Sequence, residues 1–296
     1  MTTEPILLPP GRGRPISRSY KVAITLAVAF AVFMASGSMR PFVYQEACQL
    51  ARWQLQRQLN DWPSIESEHF IVKYQPTDEN AAAIVLKAAE KAYSIVTQEV
   101  DFVPPGKTLV VVHPTAEELN SAFGWSSQES AVGAYWGGAI RVLSPSAWIG
   151  DTSLELVKEI FWAAGPMVHE FTHLVLDYKT AGNYPRWFSE GLAQYLELKH
   201  CGTTLSSGFD LHLKQLYSIQ ELGNFSQLDD ELLAYEQALS IVQYLTDIYG
   251  PQIIEQIVNS LAQGQSFPRA LKTAGIKSPA ALEEAWLQWL QLPAGI

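Results

Sequence analysis

His169-Glu170-Phe171-Thr172-His173 places two imidazoles and a carboxylate within five residues. On a helix, residues four apart share a face, so His169 and His173 can reach one Zn²⁺ ion. Glu170 is turned about 100° from His169, which takes it out of that chelate and towards the open coordination position where a water would lie. Zinc brings the pKa of such a water down towards ~7, and a neighbouring carboxylate can take its proton and pass it to a leaving amine. The chemistry these three residues suit is hydrolysis of an amide, with Glu170 as general base.

The motif lies in an apolar run, Met167 to Leu176, where buried His and Glu would be costly without a compensating partner. A metal supplies one. Downstream, Pro185-Arg-Trp-Phe-Ser-Glu-Gly-Leu-Ala-Gln-Tyr195 returns a further carboxylate, Glu190, sixteen intervening residues after His173. A third ligand is therefore available. The alternative H-E-x-x-H-x-x-G-x-x-H arrangement is excluded, because Leu176 and Lys179 stand where Gly and His would be needed.

Pro166 suits the first turn of a helix over about 165–177, where its missing N–H costs nothing. Before it come three β-prone runs, Phe70 to Tyr74, Thr108 to His113 and Gly137 to Leu143, with a helical pattern over 80–100 and room for a short helix after Pro114-Thr115. His113 ends the second run and is read as a strand-end residue rather than a ligand. His200 and His212 are expected at the surface. Beyond the motif the chain reads as helical near 187–198, 231–249, 252–262 and 278–290. Stripes such as Leu239, Val242, Leu245 and Ile248, with Trp286, Trp289 and Leu290, are the geometry of a core.

H-E-F-T-H followed by P-R-W-F-S-E-G-L-A-Q-Y resembles the peptidase MA-like branch of the gluzincin zinc metallopeptidases. The resemblance implies an α+β domain over residues 65–292, a small mixed sheet with a zincin-type active-site helix and a helical C-terminal part. It implies Glu190 as the glutamate ligand beside His169 and His173, Glu170 as the base, and the Gly137 to Leu143 strand as the edge to which an extended substrate adds. Tyr235 resembles a tyrosine that related families use to stabilise the oxyanion; Tyr195, five residues beyond Glu190, should point away from the metal. Where many gluzincins carry an acid four residues after the ligand glutamate to orient a zinc-bound imidazole, this chain has Gln194, which can still accept through its carbonyl, and Asp177, four residues after His173, is an alternative for that role.

Residues 22–39 form an uncharged run behind Arg12, Arg14, Arg18 and Lys21. Cytoplasmic flanks collect such charges, so a basic leader over 1–21 should stay inside and the chain beyond 39 be exported. The run reads as an uncleaved anchor giving a single-pass membrane protein; cleavage near the small residues 35–38 would instead make it secreted. Residues 40–64 then read as a helical stalk. The formal net charge of −10, with the basic leader contributing the other sign, argues against nucleic acid as a partner and leaves peptides or proteins as substrate. Cys48 and Cys201 are read as two unpaired thiols. Two rival readings use the same residues: a zinc hydrolase of another amide, and a membrane-tethered scaffold of this fold without turnover.

Overall fold

β-branched side chains dominate Thr108–His113, and every residue of that strand is buried, as a strand covered on both faces requires. It forms the middle of a five-stranded sheet in a computed structural model that describes residues 40–126, 131–203, 211 and 214–291. The strands are β1 (Ser64–Glu66), β2 (Phe70–Lys73), β3 (Thr108–His113), β4 (Gly133–Trp136) and β5 (Ala139–Leu143). Their order is β1-β2-β3-β5-β4, with β2, β3 and β5 parallel and the two outer strands antiparallel to their neighbours.

One expectation is corrected here. The Gly137 to Leu143 segment does not form the sheet edge: Ala139–Leu143 pairs with β3 on one side and β4 on the other. Gly137 and Gly138, at φ of 59° and 82°, turn the chain between Trp136 and Ala139, which are register partners. Two consecutive residues at positive φ make the tight hairpin turn whose twist matches the strands, and Gly-Gly is a signature of it. The edge is therefore β4.

The helices are α1 (Arg40–Gln58), α2 (Glu79–Val100), α3 (Ala116–Phe123), α4 (Pro145–Trp148), α5 (Leu154–Ala164), α6 (Met167–Thr180), α7 (Arg186–Cys201), α8 (Glu231–Tyr249), α9 (Gln252–Ala262), α10 (Phe267–Thr273) and α11 (Pro279–Leu290). Thr115, Ser153, Asp230 and Ser278 cap α3, α5, α8 and α11 by accepting a backbone N–H from the first turn. The alanine-rich face of α2 packs against β2 and α6 and joins Phe70, Phe171 and Phe188 in the core. Trp286 of α11 is wholly buried, its indole N–H donating to Ser240 Oγ at 3.0 Å, and Trp289 stands edge-on to Tyr244. Both act in packing, in a mixed α+β fold with helices gathered in the C-terminal half. Among the described residues no helix is long and apolar enough to cross a membrane; residues 22–39 and His212 lie outside the described residues.

Candidate metal centre

α6 starts abruptly. Gly165 precedes it because a Cβ there would lie 2.2 Å from the Phe161 carbonyl oxygen, and Pro166 takes the N-cap position. From Met167 the helix is buried almost throughout, so His169 and Glu170, each 8% exposed, enter the core beside His173. α7 crosses beneath and brings Glu190, 7% exposed, to the same place. Its next residue, Gly191, has to be glycine: an added Cβ would meet the Ala238 carbonyl oxygen at 2.3 Å, so the pair Glu190-Gly191 both supplies the carboxylate and lets α8 pack directly on α7.

Glu190 Oε2 lies 3.5 Å from His169 Nε2 and 3.3 Å from His173 Nε2. One ligand atom from each of the three residues falls within 4.8 Å of the other two. A tetrahedron with metal–ligand bonds of ~2.0–2.2 Å has ligand atoms ~3.3–3.6 Å apart, which matches both. Two imidazoles and one carboxylate are also a donor set that suits Zn²⁺ with a fourth position left open. The residues fit the ion.

The opposite atoms of the same side chains are held from behind. His169 Nδ1 lies 3.3 Å from Glu197 Oε2, His173 Nδ1 lies 2.7 Å from Ser189 Oγ, and Arg186 Nε donates to Glu190 Oε1 at 3.2 Å. With a proton on each Nδ1, both Nε2 lone pairs face the gap between them. Asp177 does not take the orienting role expected of it, and the Gln194 amide nitrogen is turned elsewhere. The Gln194 amide donates to the Tyr235 carbonyl at 2.9 Å, tying α7 to α8, and the Asp177 carboxylate accepts the hydroxyls of Tyr44 and Tyr184. One helical turn after Glu190 the chain points into the α7–α8 seam, whereas two turns on, at Glu197, it returns to His169.

Burial pushes the Glu170 carboxyl above its usual range; His169 and His173 pull it down, and Glu190 opposes them. Burial alone would raise Glu190 as well, but the two imidazoles outweigh it and hold that carboxyl well below the usual range. For His169 desolvation acts against the charge and is overcome by Glu190 and Glu197, so the free ring is raised. One carboxylate is thus kept charged, as a ligand must be, and its neighbour is brought closer to neutrality, as a proton carrier should be.

These groups floor a cleft of about 850 Å³. Strand β4 forms one wall and comes so close that a Cβ on Gly133 would lie 2.6 Å from Pro166 and 3.3 Å from Glu170 Cγ. The Tyr135 backbone of the same strand faces the Glu170 carboxyl and acts to lower it against the effect of burial. Tyr44 of α1 closes another side, and Arg186 and Tyr235 stand together on a third. Tyr235 packs edge-on against Phe225, and burial and the charge of Glu190 raise its hydroxyl so that it stays protonated. Tyr195 is not among the cleft residues and carries Lys199 over its ring.

Of the other histidines, His113 ends β3 away from the cleft, buried, with Arg141 at 3.2 Å, and is lowered to about 4 by desolvation and then by that guanidinium. His200 is paired with Glu99 at 2.8 Å. Cys48, in the cleft wall, and Cys201 are both free thiols.

Glu197, Ser189, Arg186, Tyr44 and Tyr184 escape a reading of spacing centred on the metal. Glu197 had a signal, since seven residues after Glu190 is two helical turns and the same face. Tyr44, 133 residues from Asp177, had none.

No curated protein matches the chain in a sequence comparison. Residues 149–292 match the family model described as Peptidase MA superfamily, a stretch that holds His169, Glu170, His173, Glu190 and Tyr235 and supports a peptidase of the metallopeptidase kind.

Proposed function

We propose that the chain is a zinc-dependent peptidase of the gluzincin type, with His169, His173 and Glu190 as metal ligands and Glu170 as general base. The observation that carries this reading is the meeting of two imidazole Nε2 atoms with Glu190 Oε2 at 3.5 and 3.3 Å, the spacing of ligands around one ion. When bound, zinc supplies Lewis acidity, polarising a carbonyl and making water a nucleophile near neutral pH.

The protein's own groups do the rest. Glu170, raised by burial, takes a proton from the attacking water and returns it to the leaving amine. Tyr235, kept protonated on the cleft wall, donates to the oxygen that gains charge as the carbonyl is attacked, with Arg186 beside it. Glu197 and Ser189 keep both imidazoles oriented. An extended peptide adds to the free edge of β4, antiparallel to β5 on the other side, where its side chains meet Trp136, 71% exposed, and Trp125 at the rim. The substrate is a peptide or protein and not nucleic acid, and residues 22–39 attach the domain to a membrane with its bulk outside the cytoplasm.

Glu170→Gln in the full chain separates catalysis from binding: zinc content and folding stay at wild-type levels while cleavage of a mixed peptide library, followed by mass spectrometry, is lost by ~10³-fold or more. Unchanged cleavage by that variant would remove Glu170 from the mechanism.

A further inference from the structure

Helix α1 has two apolar faces, and only one of them is used by the fold. Tyr44, Cys48, Ala51 and Leu55 recur on one side of it. Tyr44 donates its hydroxyl to Asp177, Cys48 is buried in the main core, and Leu55 packs with Leu109, Val111 and Ala139 of the sheet. Arg52 Nη2 adds a hydrogen bond to the Lys107 carbonyl at 2.9 Å. At 100° per residue, Phe42, Val43, Leu50 and Trp53 fall within an arc of about 100° on the opposite side. They are 57%, 49%, 56% and 51% exposed, in that order. Four large apolar side chains on one exposed stripe are more than the scattered singles of an ordinary surface.

The sequence before α1 and the residues of the stripe itself bear on what covers it. In the sequence, α1 follows the uncharged run 22–39 that is proposed to enter a membrane. Phe and Trp beside Arg are the side chains that settle at the headgroup level of a bilayer, and the Arg57 guanidinium lies 4.7 Å from the centre of the Trp53 ring. Glu46 is the one acid within the arc, and Gln49 and Gln54 flank it. A helix meeting headgroups rather than hydrocarbon accommodates such residues.

We infer that the outward face of α1 lies on the lipid surface, with Phe42, Leu50 and Trp53 in the headgroup region, while its inward face walls the candidate active cleft. The cleft then opens about one helix diameter, ~10 Å, from the bilayer, within reach of polypeptide close to the membrane. The inference rests on the proposal that residues 22–39 enter a membrane and not on catalysis.

Spin labels test it in the full chain, with Cys48→Ala and Cys201→Ala providing the background and single cysteines placed at Leu50, Trp53 and, as a control, the exposed Lys87 of α2. The protein is incorporated into vesicles of three parts phosphatidylcholine to one part phosphatidylglycerol, and collisions with oxygen and with a water-soluble nickel chelate are compared. Labels at 50 and 53 meet oxygen severalfold more often than nickel, and the label at 87 shows the reverse. Nickel access at 50 and 53 equal to that at 87, in protein that floats with the vesicles, overturns the lipid contact while leaving the anchor standing. Low access to both reagents, or spin–spin broadening from a second copy, overturns it in favour of a protein cover. Failure of the chain to float overturns the anchor and this inference together.

Discussion

Glu197 carries no metal-binding atom in the proposed centre, yet it is the partner of His169 Nδ1 and only 5% exposed. Removing such a partner leaves the ligand in place but free to turn. Glu197→Gln therefore weakens zinc affinity ~10–100-fold in chelator competition, with helix content unchanged. Tyr235→Phe removes a donor to a charge that exists only during the reaction, so kcat falls ~10²–10³-fold while KM stays near its wild-type value. Away from the site, His113 is held neutral in the folded protein at pH values where the unfolded chain is protonated. Its folded pKa, lowered to about 4, lies below the ordinary 6.5, so the contribution is fully present above pH 6.5 and is lost as pH falls towards 4. Chemical denaturation should show this as a loss on the order of 3 kcal/mol across that window, and His113→Gln, which still offers Arg141 an acceptor, should flatten the slope. At this scale His169 and His173 were legible as a pair because they stand one helical turn apart, whereas Glu190, on the next helix, was implied by the family resemblance, and the structure brings the three together. Ser189 and Arg186 were not singled out, because a serine and an arginine beside a ligand acquire their roles only when α6 and α7 are set against each other.

Elements position the site through two close approaches, and both depend on glycine. At Gly191 the backbones of α7 and α8 meet, and the neighbour that an added methyl would strike is a carbonyl oxygen, which cannot swing aside. Gly191→Ala forces the helices apart and costs ~1–3 kcal/mol, read as a lower midpoint in thermal unfolding of the zinc-loaded protein. The bounds of α8 and α9 agree with the helical patterns read over 231–249 and 252–262, where apolar residues recur at helical spacing. The edge of the sheet was misread for a local reason. Gly133 to Trp136 is short and neither strongly apolar nor alternating, so the Gly-Gly turn after it was merged into the following strand.

Across the whole molecule, the family match begins at residue 149, so the sheet and α1 stand outside it although both line the cleft that the matched half floors. The mixed α+β character was legible, because strand-like runs lie in one half of the sequence and helical periods in the other. The placement of α1 was not. Apolar residues lie on two opposite sides of the helix, and only the distant Asp177 and the sheet residues Leu109 and Ala139 decide which side turns inward. Everything proposed about turnover depends on one property of the assembled protein, that three side chains from two helices hold a metal. The direct test is the zinc content of the purified full chain by elemental analysis, before and after mild chelation, for wild type, His173→Ala and Glu190→Ala. The account predicts one zinc per wild-type chain and its loss from both variants while the fold persists. A wild-type chain that binds no zinc after supplementation, or variants that keep it as firmly, would contradict the centre and with it the peptidase mechanism.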